Sequence, residues 1–474
     1  MSNDARFQAW LIDEEAAEAL VPKIGKLYRD HGVVLTLQGQ SLVQLAPHAI
    51  LRAHRRAHHK NGHDFAATAT LAAVDALLSL DLAPVEIDLG KLLLAAGSSE
   101  PTVVAAAVVQ AAASLHRRGE SRGGRDIVLY GFGRIGRLLA RMLVTKSAGG
   151  DKYRLRAIVV RKQADDDLER RANLLRRDSV HGPFRGVVRC HPEQSALEVN
   201  GEWIHVINAP GPDQIDYTAY GIDDAIVIDN TGAWRDREKL GKHLLSKGAG
   251  KVILTAPGKG DIPNIVHGVN QHMILPDERI LSAASCTTNA IVPVLKAIDD
   301  RYGVRQGHIE TVHAYTNDQN LIDNYHKKVR RGRGAPLNLV ITETGAASAV
   351  GKALPHLKGL LTGSAIRVPV PNVSMAILKL NVNTPTTKDE VNQYLFEVAN
   401  GTALGAQVGW TSMVDTVSSD LVGDTHGGVV DAEATQVLND QLILYVWYDN
   451  EYGYSCQVMR MLEHVIGVSR PLFP

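Results

Sequence analysis

Cysteine is scarce in this chain, with three in 474 residues, at positions 190, 286 and 456. Three thiols so far apart in sequence and odd in number do not make a disulfide framework. They point to a reducing compartment, and a cytoplasmic location is expected. Net charge is missing as well: 51 basic side chains balance 51 acidic ones. Nothing global therefore draws the chain to nucleic acid or to an anionic membrane surface. Long apolar runs are also lacking. The most apolar stretch, TVVAAAVVQAAASL, is broken by Gln110 and is too short and alanine-rich to span a bilayer. The opening residues, MSNDARFQAW, show no apolar h-region, so no signal peptide is expected. No internal repeat or low-complexity segment is visible.

What is present is material for a large core. Hydrophobic residues make up 45% of the chain and glycines number 42, the profile of a soluble globular α/β enzyme of two or three domains. Residues 1–118 read as an all-α extension. Its helices are expected over FQAWLIDEEAAEALVPKIGKLYRDH, closed by Gly32, then from about Ser41 to Arg56, Asp64 to Leu80 and Thr102 to Arg118. The alanine-rich stretch Val103–Ala113 is apolar nearly all round, which predicts a helix buried by the others. His54 and His58 are four apart, as metal ligands on a helix can be. With no cysteine nearby, a polar face flanked by arginines explains them more simply, and no metal site is assigned. Residues 119–125 read as a glycine-rich linker.

From Asp126 onward strands and helices alternate. DIVLY, the turn GFGRIG, the helix RLLARMLV and the strand RLRAIVV form a βαβ unit, with glycines where a dinucleotide pyrophosphate needs close backbone approach. A Rossmann domain is expected over 126–285, completed by a C-terminal helix within 451–474. Longer strands after Cys286 predict an α+β domain over 286–450 with a mostly antiparallel sheet. At the junction, SAASCTTN places Cys286 at the first turn of a helix. Free N–H groups and the helix dipole favour thiolate there. TVHAYT then supplies His313 on a second strand.

These residues resemble the phosphorylating glyceraldehyde-3-phosphate dehydrogenase family. The matching motifs are, in order, GFGRIGR (131–137), DSVHG (178–182), SCTTN (285–289), TVHAYTNDQ (311–319), TGAA (344–347), RVPVPNVS (367–374) and WYDNEYGYS (447–455). They cover the chain from about residue 126 to its end. The resemblance implies Cys286 as nucleophile and His313 as base. It implies Thr316, Asp318 and Arg367 for the substrate phosphate, and Ser285, Thr287, Thr344, Gly345 and Arg333 for the attacking inorganic phosphate. It also implies a dinucleotide held by Gly131, Phe132, Gly133, Arg134, Ile135, Gly136, Thr231, Gly232 and Asn450, and a homotetramer.

The second strand ends at Val160 where an NAD-selective aspartate is usual, and Arg161 and Lys162 follow. A missing anion with cations beside it suits a 2′-phosphate, so NADP is favoured over NAD. Asp165, Asp166 or Asp167 reaching back would restore NAD. Asn324-Tyr325, in place of the Leu-Pro pair of NAD-selective bacterial members, point the same way. Further departures from the family are Ala283 for asparagine, Ala290 for a second cysteine and Tyr130 for the asparagine before the first glycine. The basic run His326–Arg333 also has the composition of a nucleic-acid patch, but in the family this loop lines the cofactor and a subunit contact. Oxidation of erythrose 4-phosphate, or a regulatory role for the extension on a dehydrogenase body, are the alternatives to glyceraldehyde 3-phosphate chemistry.

Overall fold

The structure, a computed structural model, describes residues 3–61, 65–112, 123–147 and 152–468. By compactness the chain divides into two units. One contains residues 1–125, 142–154 and 463–474; the other contains 126–141 and 155–462.

The first unit carries helices Asn3–His31, Pro47–Asn61, Ala67–Leu78, Leu89–Ala96 and Pro101–Ala112. Gly32, at φ 65°, ends the first of them as expected. Leu20, Ile24 and Leu27 of that helix are buried with Val74, Leu77, Val104 and Val108 in one apolar core. The extension is not all helix, however. Val34–Leu37 pairs antiparallel with Gln40–Ser41 and parallel with Glu86–Asp88. The strand Val34–Leu37 is buried throughout, and so short an apolar run shows no period that separates strand from helix. Ser41 therefore belongs to the small sheet, and the second helix starts at Pro47, whose fixed φ suits a first helical position.

The helix Leu89–Ala96, absent from the sequence reading, starts where Asp88 accepts from the Gly90 and Lys91 N–H groups at 2.9 and 3.2 Å. The helix Pro101–Ala112 buries only Val104, Val108 and Ala112, while Val103 and Val109 are exposed. It is a one-faced helix, not the enclosed one expected. His54 is a buried core histidine with both nitrogens used, on Ile50 O at 2.9 Å and Thr70 Oγ1 at 2.8 Å. It has no lone pair left for a metal. His63, the expected helix's residues 113–118 and residues 119–122 of the expected linker lie outside the described residues.

The second unit is built on two sheets. The first runs in spatial order Ile280–Ser282, Ala249–Leu254, Ala225–Asp229, Arg125–Tyr130, Tyr153–Val160, Glu202–Asn208, Ala196–Val199, Val188–His191. The strands from Ile280 to Asn208 are the parallel part and the last two turn back antiparallel. Strand Arg125–Tyr130 lies at the point where the order reverses, the place where such sheets open a crevice for a ligand.

The second sheet runs Val340–Thr342, Leu361–Val368, Val304–Ala314, Ser374–Val382, Gln441–Tyr448, Gly428–Asp431, Val408–Thr411. It is mostly antiparallel, with parallel exceptions that include the pair Val304–Ala314 with Leu361–Val368. Helix Cys286–Tyr302 lies on this sheet, its Ile291, Val294, Leu295 and Ile298 in the same core as Ile309, Leu378 and Leu444. The Rossmann and α+β architecture found from residue 126 onward is thus the expected one.

Candidate active site

The candidate nucleophile, Cys286, is placed by a strained turn and a helix start. Strand Ile280–Ser282 leads to Ala284, which takes φ 56°, a left-handed conformation that L residues adopt at a cost. The Ser282 hydroxyl accepts the Ala284 N–H at 3.0 Å and the Tyr454 hydroxyl donates to the Ala284 carbonyl at 3.0 Å. Ser285 then caps the helix, accepting from the Thr288 N–H at 3.0 Å. Cys286 becomes the first helical residue, with Thr287 alongside, its hydroxyl 2.9 Å from that of Tyr448.

Register delivers the candidate base, His313. In the parallel pair of strands His313 stands directly beside Arg367. His313 Nδ1 is 2.7 Å from the Ala314 carbonyl and Nε2 is 3.5 Å from the Cys286 sulfur. Arg367 Nη1 donates to Ala314 O at 2.8 Å and Thr316 Oγ1 at 3.1 Å. Those two bonds use both of its hydrogens, so its 3.0 Å approach to Nδ1 is a contact and not a third bond. Nδ1–H therefore donates to Ala314, and the lone pair of Nε2 faces the thiol.

Burial pushes the Cys286 thiol up, against the pull of the Arg367 charge and the Thr287 hydroxyl and N–H. Burial and the Arg367 charge also hold the His313 imidazole down, to about 3. The helix start alone had suggested a free thiolate, but desolvation outweighs it for either group charged singly. A proton passed from Sγ to Nε2 leaves the net charge of the pair unchanged, so the two act as a unit.

Arg367 opens onto a cavity of about 800 Å³ lined also by Gly232, Arg235, Lys239, Lys259, Asp318, Lys327, Lys328 and Arg331. Arg331 pairs with Asp318, which also accepts the Thr316 hydroxyl. Burial raises Asp318, yet Thr316 and Arg331 together keep it below its ordinary value. Arg331 is the arginine of the basic loop that reaches this cavity. Arg333, expected there, is exposed and pairs with Asp323 at 2.7 Å. The tight turn Val329–Gly332 decides which arginine points inward, and the spacing RRGR does not. Thr344 accepts the Ala346 N–H at 3.1 Å, with Gly345 at the start of helix Ala346–Ala353.

The residues expected to hold the cofactor fall at the crevice of the first sheet. Gly131 has φ 96°, and a Cβ on Gly136 would meet the Gly131 carbonyl at 2.5 Å, so both positions require glycine. A Cβ on Gly133 would meet nothing within 4 Å. That open space at the start of helix Arg134–Lys146 fits a pyrophosphate. Phe132 is buried and Ile135 lies in the first turn of that helix. The Arg134 side chain is engaged elsewhere, on Glu451 and on Asp178 at 3.1 Å, so its backbone N–H is what it can offer a phosphate. Thr231 and Gly232 follow the neighbouring strand, and buried Asn450 accepts the Ser374 hydroxyl at 2.8 Å. Arg161 and Lys162 are exposed past Val160. Asp165, Asp166 and Asp167 pair with Lys162, Arg170 and Arg171 at 3.2, 2.8 and 2.5 Å.

Comparison with known proteins agrees with this geometry. Residues 125–237 match the family model of the glyceraldehyde 3-phosphate dehydrogenase NAD binding domain, and 285–450 that of the glyceraldehyde 3-phosphate dehydrogenase C-terminal domain. A glyceraldehyde-3-phosphate dehydrogenase-like protein of Pseudomonas aeruginosa is 54% identical over 460 residues, 96% of this chain and 100% of that protein. Glyceraldehyde-3-phosphate dehydrogenase 2 of Bacillus subtilis is 40% identical over 341 residues, 72% of this chain and 96% of its own length. The chloroplastic enzyme A of Zea mays is 40% identical over 348 residues, 73% of this chain and 84% of that protein. Two successive domain matches, and relatives aligned along nearly their whole length, make this chain a member of the glyceraldehyde-3-phosphate dehydrogenase family.

Proposed function

We propose that the protein catalyses the reversible phosphorylating oxidation of glyceraldehyde 3-phosphate to 1,3-bisphosphoglycerate, with NADP favoured over NAD. The observation that carries the reading is the Cys286–His313 contact at 3.5 Å, with Arg367 beside His313 lining a basic cavity.

Arg367, Thr316 and Arg331 receive the substrate phosphate, since guanidinium forks and hydroxyls match its oxygens. The Cys286 thiol passes its proton to His313 Nε2 as sulfur bonds to the aldehyde carbon, and His313 returns that proton to the former carbonyl oxygen, giving a hemithioacetal. His313 then takes the hydroxyl proton of that adduct as it becomes a thioester, help worth about 10²–10⁴-fold. When bound, the nicotinamide supplies the hydride acceptor that this oxidation needs. Inorganic phosphate attacks the thioester carbonyl, the C–S bond breaks, and Cys286 is regenerated. Ser285, Thr287, Thr344 and Gly345 stand as the residues for that second phosphate.

The NADP preference is supported by the three aspartates after Val160. Each is paired with a cation of its own segment, and exposed Arg161 remains to meet a 2′-phosphate. A homotetramer in the cytoplasm completes the reading. Leu321, Ile322, Tyr325, Leu337 and Leu339 form an exposed apolar stretch suited to self-association, and three free cysteines suit a reducing compartment. Steady-state rates on glyceraldehyde 3-phosphate with NAD and NADP, with and without phosphate, test the reading. Phosphate-dependent reduction with higher kcat/KM for NADP is expected, and turnover independent of phosphate would overturn it.

A further inference from the structure

Below the two glycine turns lies a polar pair that the chemistry above does not use. The side chains of His243 and Asp229 are both at 0% exposure. His243 Nε2 is 3.1 Å from Asp229 Oδ2, while its Nδ1 has no hydrogen-bond partner among the described residues. A neutral ring with its proton on Nε2 accounts for both facts. The N–H donates to the carboxylate, and a bare ring nitrogen is left where an orphaned donor would be worse. The other oxygen, Oδ1, accepts from the Thr231 N–H and the Thr231 hydroxyl, each at 2.7 Å. Among these donors to the carboxylate, only His243 comes from outside the turn.

The same ring touches the other turn. Tyr130, immediately before Gly131, meets His243 edge-on with ring centroids 4.7 Å apart. Trp234 closes the box at 5.8 Å from His243 and 5.6 Å from Tyr130. Tyr130 and Asp229 face each other as the last residues of adjacent parallel strands. The turns that follow are close: a Cβ on Gly131 would come to 3.0 Å from Thr231 Cγ2. Tyr130, which departs from the family's asparagine, thus has its ring in this box and not in solvent.

We propose that His243 is a positioning residue for the dinucleotide. It braces the Tyr130–Gly131 and Thr231–Gly232 turns from beneath, through Asp229 on one side and the Tyr130 ring on the other. Their spacing is then fixed before the cofactor arrives, so binding does not have to order them. The inference rests on the reading of these turns as the dinucleotide site.

Two variants separate the donor from the ring. His243→Phe keeps an aromatic body and removes the N–H; His243→Gln keeps a donor and removes the ring. Dissociation constants for NADH and NADPH are measured by fluorescence titration of the full-length chain. Amide hydrogen exchange at Thr231–Ala233 is followed without cofactor. His243→Phe is expected to weaken both dinucleotides about tenfold, the loss of one hydrogen bond to a charged group. It should also speed exchange at the turn, with KM for glyceraldehyde 3-phosphate and kcat at saturating cofactor nearly unchanged. His243→Gln should recover most of the affinity. A folded His243→Phe protein with wild-type affinity and exchange overturns the proposal, as does a loss spread equally over cofactor and sugar phosphate. Should that variant fail to fold by thermal melting, Asp229→Asn carries the same test, because a carboxamide cannot accept from three donors in this geometry. Wild-type protein that binds neither dinucleotide saturably would instead refute the cofactor site beneath the inference.

Discussion

Cys286 and His313 act through distances that single substitutions can test. Cys286→Ser should abolish oxidation with the fold intact, because an alkoxide is far harder to form than a thiolate at neutral pH. His313→Asn should lower turnover by about two to four orders of magnitude through lost proton transfer. Near wild-type rates in either variant, with folding checked by circular dichroism, would refute the pair. Both residues were legible in the sequence, since each sits inside a short contiguous motif. Arg331 was not. Three arginines crowd the segment 330–333, and only the turn Val329–Gly332 settles which one meets Asp318. For cofactor choice, Arg161→Ala should raise the KM for NADP several-fold and leave that for NAD within about twofold, because only NADP offers a 2′-phosphate to a guanidinium. Equal changes in the two constants would show that Arg161 merely closes the strand.

At the scale of elements, a network of charges ties three segments together. Arg134, at the start of its helix, pairs with Asp178 of the DSVHG loop and with Glu451 ahead of the last helix. His181 Nε2 adds a 3.0 Å contact to Glu451. Burial raises Asp178, but the His181 and Val180 N–H groups and Arg134 overcome it and bring its pKa from 3.8 to about 2. A carboxylate with its folded value below its unfolded one contributes stability that is complete above the unfolded value. That stability is lost as pH falls towards the folded value. Asp178→Asn should therefore destabilise by about 2 kcal/mol near pH 7. The difference from wild type should shrink as pH falls from about 4 to about 2. Urea melts across that range decide it, and a gap that does not narrow would remove Asp178 from the network. The sequence announced the strands and the glycine turn through period and punctuation. It did not announce this network, whose partners are joined across the fold by packing and not by spacing.

For the whole molecule the open matter is the extension. The Pseudomonas relative, aligned over 96% of this chain, spans it as well, whereas the Bacillus enzyme matches 72%. Compactness groups residues 142–154 and 463–474 with the extension. Within that unit Lys146 Nζ lies 3.0 Å from Glu86, with both side chains largely buried. Breaking such a pair is destabilising because a poorly hydrated charge loses its partner. Glu86→Gln should lower stability by about 1–3 kcal/mol. A chain beginning at Gly123 should melt several degrees below the full-length protein yet keep its turnover per site within about threefold. Coincident melting curves would show that Glu86 and its helices add nothing to the unit they share with Lys146.

The chain's contiguous motifs, their order and their spacing were enough to identify the family and to single out Cys286, His313 and the glycine turns as candidates. Each of these needs particular residue types within a few positions of one another, and such local demands are written directly in the sequence. The small sheet of the extension, the inward turn of Arg331 and the place of His243 were decided by tertiary structure alone. They depend on strand register and on side chains meeting across segments far apart in the chain, and no local period encodes those distances.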